Sequence, residues 1–346
     1  MSLRIPRFRL TYAGTDITRA VQPYRFYIGY SDKLEGESDD LEIRFENSDL
    51  RWLDSWAPAE GDTISLQLGY EGEKFLGPIV FEIDEPEYAG PPDRLTLKGV
   101  ATPISKSLRQ KNTQAYEKIK LKAIAQQIAE KHSLELVGGD KIPDITLDRV
   151  TQKEQSDLEF LRSTAAEYGL IFKVDSCTKL VFFKESELED AAAVLTLART
   201  VLKSYRLRRG VKGTYKAAEL SYKDPRSGKF ITATIDATGA AVTTPTEGES
   251  AIASGDILKI RERVENLEQA EIKATEALRR ANRGQVQGSI DLEGNVAIAA
   301  GVNLNLTGFG GLSGKYQVTA VRHTLSKTSG YQTSVEIKGL ELKRDK

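Results

Sequence analysis

The sequence predicts an α+β protein, mainly β, with two similar antiparallel β-barrel domains, a small α+β domain between them and a long helix inserted in the second barrel. Three observations predict it. Apolar and polar residues alternate at period two near both ends of the chain, the pattern of half-buried strands. Between these stretches the apolar spacing lengthens to that of helices. Clusters of glycine, proline and acidic residues punctuate the runs.

Residues 1–110 make the first β-domain. Phe8, Leu10 and Tyr12 alternate with Arg7, Arg9 and Thr11. The alternation recurs at Leu41, Ile43 and Phe45, at Ile64, Leu66, Leu68 and Tyr70, and at Leu95 and Leu97. Turn residues separate the runs, with Gly72 in one break and Gly90, Pro91, Pro92 and Asp93 in another. Several short alternating strands joined by turns predict a sandwich or barrel.

Residues 111–200 read as the small α+β domain. Ile124, Ile128 and the neighbouring alanines sit at helical spacing between Leu121 and Lys131, and Glu135, Leu136 and Val137 follow as a short strand. A second helix starts at Ser156, whose hydroxyl can cap it, with Glu159 completing a capping box. Gly169 stops that helix, and residues 170–174 are predicted to pair with residues 180–183.

The second β-domain is built from residues 201–240 and 285–346. Strands are predicted at 205–207, 215–222 and 230–235, the last two joined by a turn at 224–228. Residues 241–284 are a linker and helix insertion. A Gly/Ala/Thr/Pro-rich stretch at 237–254 precedes a helix over about 257–282, where Ile257, Ile260, Val264, Leu267, Ala274, Leu278 and Ala281 keep a three-four spacing broken by Glu271. That helix either packs on its own barrel or offers its seam to copies of itself around a symmetry axis, and Glu271 at a seam position favours the first. After Gly284 alternation resumes at Val302, Leu304 and Leu306, at Tyr316, Val318 and Ala320, and at Val335 and Ile337.

The two β-domains share a layout. Gly61 to Leu66 aligns with Gly301 to Leu306, and Arg94 to Gly99 with Ser334 to Gly339, both at an offset of 240 residues. The match has two readings, a duplicated unit or the ordinary likeness of half-buried strands. A duplicated unit in three chains would present six similar modules around one axis.

Composition narrows the function. The chain has 346 residues, 40% hydrophobic and 29% charged, with a net charge of −1. This is ordinary globular material without the basic excess of a nucleic-acid reader. The single cysteine, Cys177, excludes an internal disulfide and fits a reducing cytoplasm. Residues 1–12 are charged and alternating, unlike a signal peptide, and no run approaches the roughly 18 apolar residues of a membrane span.

No catalytic, cofactor or metal site residue is assigned. Of the two histidines, His132 ends a helix, where a cation suits the dipole, and His323 lies on a strand. No His/Cys cluster has zinc spacing, and Cys177 reads as a buried thiol. The glycines at 308, 310, 311 and 314 superficially resemble a phosphate loop, but a strand rather than a helix is predicted after them, so they read as a hairpin turn. Asn305, Leu306 and Thr307 match a glycosylation acceptor only by chance. The acidic pairs Asp39–Asp40 and Glu189–Asp190 read as turn residues, and Glu82 and Asp84 as the outward face of a strand. Tyr205 to Arg209, and Arg7 with Phe8 and Arg9, interleave aromatic and basic residues. They suit either nucleic-acid contact or the charged blocking of a strand edge.

The C-terminal run is the most specific feature. Gly308 to Gly310, Leu312 to Val318, Val321 to His323 and Gly330 to Thr333 together resemble the late control protein D family of contractile phage tails. That family is similar to tail-hub proteins and to the N-terminal part of VgrG-type secretion spikes. Ser156 to Leu161 with Glu167 to Leu170 resembles its middle domain, and Leu278 to Arg283 leading into Gln287 to Ile290 fits it too. Val302 departs from the acidic residue expected after the glycine, and the chain reaches Lys346 without a repetitive β-helical spike, so a full VgrG-type protein is not expected.

The resemblance implies a non-enzymatic virion tail (baseplate) protein, assembled in the host cytoplasm. It implies a homotrimer whose two tube domains per chain make a pseudo-sixfold ring joining the tail tube, or its initiator proteins, to the central spike and other baseplate components. No cofactor, stable nucleic-acid binding or membrane span is expected, although DNA could pass through the channel. The sequence suggests two other functions. A tail-associated cell-wall hydrolase is suggested by the helix around Ile124 to Leu134, but no acid/base pair stands out. A surface-binding β-protein is suggested by Trp52 and Trp56, yet these lie beside Leu50 and Leu53, which points to core or subunit contact.

Overall fold

The computed structural model of the chain describes residues 4–24, 26–35, 38–59, 61–101, 108, 110–210, 215–223, 228, 230–236, 257–262, 264–282 and 286–342. It is an α+β protein, mainly β, dominated by one large and mostly antiparallel sheet.

The N-terminal stretch forms β1 (Pro6–Tyr12), β2 (Thr15–Asp16), the short helix α1 (Thr18–Val21), β3 (Phe26–Lys33), β4 (Asp40–Glu46), β5 (Thr63–Tyr70), β6 (Leu76–Ala89) and β7 (Arg94–Val100). Their alternation decides what is buried. Leu41, Ile43 and Phe45 of β4 enter a core with Leu10, Ile28, Leu66, Phe81 and Leu95, while Glu42 and Arg44 stay on the opposite face. Each such apolar side chain contributes roughly 1.5–3 kcal/mol by leaving water. A one-residue slip would turn the whole set to solvent, so the register is strongly specified.

Next come β8 (Lys111–Lys120), α2 (Leu121–Lys131), β9 (Glu135–Val137), β10 (Thr146–Ser156), α3 (Asp157–Glu167), β11 (Leu170–Asp175), β12 (Lys179–Lys184) and α4 (Glu185–Asp190). Helix α2 buries Leu121, Ile124, Ala125 and Ile128, the face its spacing predicts. The capping box of α3 is present. The Glu159 N–H donates to Ser156 Oγ at 3.2 Å, and the Ser156 N–H donates to the Glu159 carboxylate at 2.9 Å. Gly169 then takes a left-handed φ of +69°, which ends the helix and which a side chain would strain.

The remaining elements are β13 (Ala193–Ala198), β14 (Ser204–Arg209), β15 (Ala217–Lys223), β16 (Phe230–Asp236), β17 (Ile257–Ile260), α5 (Leu267–Asn282), β18 (Val286–Glu293), β19 (Asn303–Thr307), β20 (Gly314–Ser326) and β21 (Gly330–Leu342). The structure departs from the sequence expectation in three places. The long helix starts at Leu267, because Ile257–Ile260 forms β17 and pairs in parallel with β15. Four residues with two isoleucines satisfy either period, and pairing decides between them. The strands expected at 215–222 and 230–235 form, but they pair with each other and with β17 in a separate three-stranded sheet. That sheet closes a core of Ala218, Leu220 and Ile235 under Ala270, Ala274 and Leu278 of α5.

The third departure concerns closure. Two closed barrels are expected, yet the pairings among the described residues close neither. The hydrogen bonds that would seal each barrel instead join the two β-regions, as the next section sets out. The stretch predicted as a linker at 237–254, and most of the turn at 224–228, lie outside the described residues.

Candidate assembly surface: one sheet with a polar face and two open edges

Strand β20 is shared between the two β-regions. Residues 314–317 pair with β19, and residues 320–326 pair antiparallel with β3, from Ala320 opposite Lys33 to Ser326 opposite Tyr27. The sheet order runs β14-β18-β21-β20-β3-β4-β7-β6-β5-β1-β2, with β19 and β13 branching from β20. The strands nearest the two ends of the chain thus form a continuous ladder.

The two halves share a strand order. The order β3-β4-β7-β6-β5 in one is matched by β14-β18-β21-β20-β19 in the other. The register matches as well. Gly29, Glu42 and Lys98 form one cross-strand row, and Arg208, Gln287 and Lys338 form its counterpart. The next row is Tyr27, Arg44 and Thr96 against Arg206, Ser289 and Glu336. Gly61 before β5 and Gly301 before β19 both take left-handed φ, +82° and +90°. The shared strand order is compatible with the duplicated-unit reading. The copies differ at one flank, where β1 lies antiparallel to β5 but β13 lies parallel to β19.

Because side chains alternate, the sheet has two distinct faces. Val335, Ile337 and Val318 enter the second core as Ile43 and Leu97 enter the first. The opposite face carries the polar rows. Arg322 crosses the β20–β3 seam on this face, reaching Ser31 Oγ at 2.8 Å and the Glu42 carboxylate at 2.8 Å. Lys98 bridges Glu85 at 2.9 Å, and Ser334 donates to Asp291 at 2.6 Å. Charges of both signs are interleaved along it.

Among the described residues the sheet ends on β14 at one side and on β1 and β2 at the other, and β13 and part of β6 are also paired on one side alone. Among the described residues strand β14 pairs with β18 alone. Strand β6 pairs with β5 only up to Glu82, and from Glu85 to Ala89 it pairs with β7 alone. Both stretches are exposed, and each carries charged and aromatic residues.

The residues singled out in the sequence take structural places. His132 ends α2 and its Nε2 lies 2.7 Å from Asp157, which is fully buried. Burial opposes ionisation of Asp157, but hydrogen bonds from Lys131, His132, Gln152 and Asn112 outweigh it and hold the carboxyl down to about 2. His323 is fully buried, stacked on Tyr30, with Nδ1 2.9 Å from Tyr331 Oη and Nε2 3.1 Å from the Ile298 carbonyl. Its burial pulls the imidazole down to about 4.

Cys177 is a buried thiol at the β11–β12 turn. Gly308 and Gly310 take positive φ in the β19–β20 connection, and strand β20 follows. Asp39 is buried beside Lys173 and Glu189 is buried in α4, so one member of each acidic pair departs from the solvated turn expected of it. Glu189 pairs with Arg279. Trp52 stacks on Phe45 at 4.8 Å in the first core, and Trp56 meets it edge-on. Arg7 pairs with Glu71 on the surface. Tyr205 to Arg209 is strand β14 itself, a sheet margin. The sequence pattern did not show that the acidic stretch of β6, residues 85–89, is paired on one side alone among the described residues. Its signal was the alternation of Glu85 and Glu87 set against that of Arg206 and Arg208. Among the described residues no cluster of His, Cys, Asp and Glu could hold a metal ion, and no helix is long and apolar enough to cross a membrane.

Comparison with known proteins gives the class of this fold. Over its full length the fold resembles the 43 kDa tail protein of prophage MuSo2 from Shewanella oneidensis, at 14% identity and a TM-score of 0.69, covering 96% of this chain and 98% of that one. It also resembles the E. coli c3393 protein, a component of the type VI secretion system, at 11% identity and a TM-score of 0.55, covering 96% of this chain and 77% of that one. In sequence it is 26% identical over 231 residues to a probable baseplate hub protein of Escherichia phage 186, covering 65% of this chain and 58% of that relative. Residues 63–329 match the family described as phage tail baseplate hub (GPD), and the chain belongs to that family. The chain spans less than two thirds of the length of that phage 186 relative, and what it shares with the E. coli c3393 protein is the fold.

Proposed function

We propose that three copies of this chain close into a ring that presents six similar β modules and joins the tail tube to the central spike. The carrying observation is the shared strand order in which β3, β4, β7, β6 and β5 correspond to β14, β18, β21, β20 and β19. A chain holding two equivalent modules lets threefold assembly imitate sixfold symmetry. One end of such a ring can then meet a sixfold tube while the three chains meet a threefold spike.

In this reading residues 1–110 are the first tube domain, and β13, β14 and β18 to β21 carry the second. Residues 111–200 form the small α+β domain, and residues 215–282 hold the inserted sheet and helix. The polar face of the continuous sheet lines the channel, where interleaved charges and hydroxyls keep the wall wetted and give DNA no fixed anchoring point. Baseplate components bind the outer surfaces.

Mass photometry of the purified chain, alone and with its spike partner, tests the ring. A species of three times 38.2 kDa is expected. A strict monomer at micromolar concentration in both samples rejects it. Class averages from electron microscopy should show a hollow ring with strong threefold and weaker sixfold features.

A further inference from the structure

We infer that a buried polar site between α4 and the second β-region binds ordered water, which joins Gln317 of β20 to Asn303 of β19. The site begins with one cross-strand row. Asn303 stands opposite Gln317, Gln317 opposite Lys338, and Lys338 opposite Gln287. Side chains alternate along a strand, so this row faces away from the core that takes in Leu304, Tyr316 and Ile337.

The same face is wet in the first half, where the matching row sets Thr63 opposite Glu82 and Thr63 is exposed. In the second half α4 covers this end of the row and is pinned at both its own ends. Lys338 Nζ lies 3.3 Å from the Glu185 carboxylate at the start of the helix. At the other end Asn303 Nδ2 donates to the carbonyls of Leu188, Glu189 and Ala191 at 2.8, 3.2 and 2.7 Å. Beneath the helix Asn303 and Gln317 are fully buried.

Three atoms of these two side chains make no hydrogen bond among the described residues: Asn303 Oδ1, Gln317 Oε1 and Gln317 Nε2. The Asn303 amide cannot be turned round, because only its NH2 end can serve three carbonyls. Gln317 is its neighbour across the ladder, yet the two amides do not bond to each other. A buried amide left unpaired destabilises a fold, whereas a water with several polar partners is held as part of it. One water can accept from Gln317 Nε2 and donate to Asn303 Oδ1, and a second can donate to Gln317 Oε1. The charges nearby favour a neutral ligand. Lys338 already faces Glu185, and Arg279 reaches Glu189 at 3.0 Å, so cations match the carboxylates of α4 that flank the row.

The sign of one substitution in the full-length chain tests this. Gln317→Met keeps the volume and removes the amide. With water bound, the change strands Asn303 Oδ1 and its water, and the melting midpoint should fall by about 2–4 °C. Were the amide simply unpaired, methionine would relieve it, so an unchanged or raised midpoint overturns the proposal. A high-resolution crystal structure of the wild type decides the matter even where the variant does not fold. A water within hydrogen-bond distance of both Gln317 Nε2 and Asn303 Oδ1 is expected. A direct Gln317–Asn303 hydrogen bond, an empty space between them or a metal ion in it overturns the assignment.

Discussion

Arg322 of β20 and Glu42 of β4 stand 280 residues apart in sequence and 2.8 Å apart in space. Their ion pair spans β3, which lies between the two strands in the sheet. The same guanidinium also reaches Ser31 Oγ and Tyr27 Oη of β3, so one side chain clasps the strand at the seam and the strand behind it. The seam is where the two halves of the chain become one sheet.

Replacing Arg322 with alanine should loosen this junction without unfolding either core. The side chain is 37% exposed, so solvent screens the pair and the expected cost is roughly 1 kcal/mol. Urea melts check it. Hydrogen exchange should also rise at Gly29 to Ser31 and at residues 320–324 more than at β18 or β5. Uniform change across the sheet would mean the contact is not local to the seam.

Lys173 of β11 ties the small α+β domain to the first β-region through Asp39 at 2.9 Å and through Asp32. Burial pushes the Asp39 carboxyl up to about 6 against the opposing pull of Lys173. Burial also opposes charge on Lys173, but the two aspartates prevail and raise its pKa. Lys173→Met would leave two buried carboxylates facing each other, at a cost of roughly 3–5 kcal/mol. Lys173→Met combined with Asp39→Asn should recover part of it, and a double-mutant cycle by denaturant unfolding measures the coupling.

Much of this architecture was legible in the sequence, and the losses have physical causes. The capping box at Ser156 and Glu159 was readable because it is local and its geometry depends on three residues. Alternation placed β4, β5 and β7 because one face of each is buried. Strand β17 was not readable. Its four residues fit two periods, and the strand that selects between them, β15, begins forty residues earlier in the chain at Ala217. Closure failed for a related reason. Whether β20 seals its own barrel or pairs with β3 is a contest between partners distant in sequence, and no local pattern reports its outcome. The margin at β14 was visible as charge and aromatics, but its identity as an unpaired edge needed the sheet order.

Asp157, at the first turn of α3, collects Asn112 at 3.0 Å, Lys131 at 2.7 Å, His132 at 2.7 Å and Gln152 at 2.9 Å. Asp157→Ala strands the buried His132 and Gln152 together and should cost roughly 3 kcal/mol. Asp157→Asn keeps one acceptor and the shape, so it should cost less. Thermal melts rank the two. The carboxyl is held at about 2, below its ordinary 3.8, so its contribution is complete above about pH 4 and is lost as pH falls through the folded value.

His323 gives the second region its own pH dependence, with the opposite origin. Its ring is enclosed by Tyr30, Tyr331 and Thr333, and the attraction of Asp32 only partly offsets the cost of burying a charge. The folded imidazole titrates at about 4 against an ordinary 6.5. Between those values the unfolded chain binds a proton that the folded chain refuses, so stability rises with pH across the window and is fully present above 6.5. The full span is worth roughly 3 kcal/mol. Asp39, raised to about 6, works the other way, losing its contribution as pH climbs from 3.8 to that value. The two partly cancel in the wild type between pH 4 and 6. Unfolding free energies of wild type and His323→Phe, measured by urea at pH 4.5, 5.5 and 7, separate them. The variant should be less stable at pH 7, where it lacks the hydrogen bonds to Tyr331 and Ile298, and the gap should narrow as pH falls. A gap that stays constant would show that the imidazole does not resist its proton in the folded sheet.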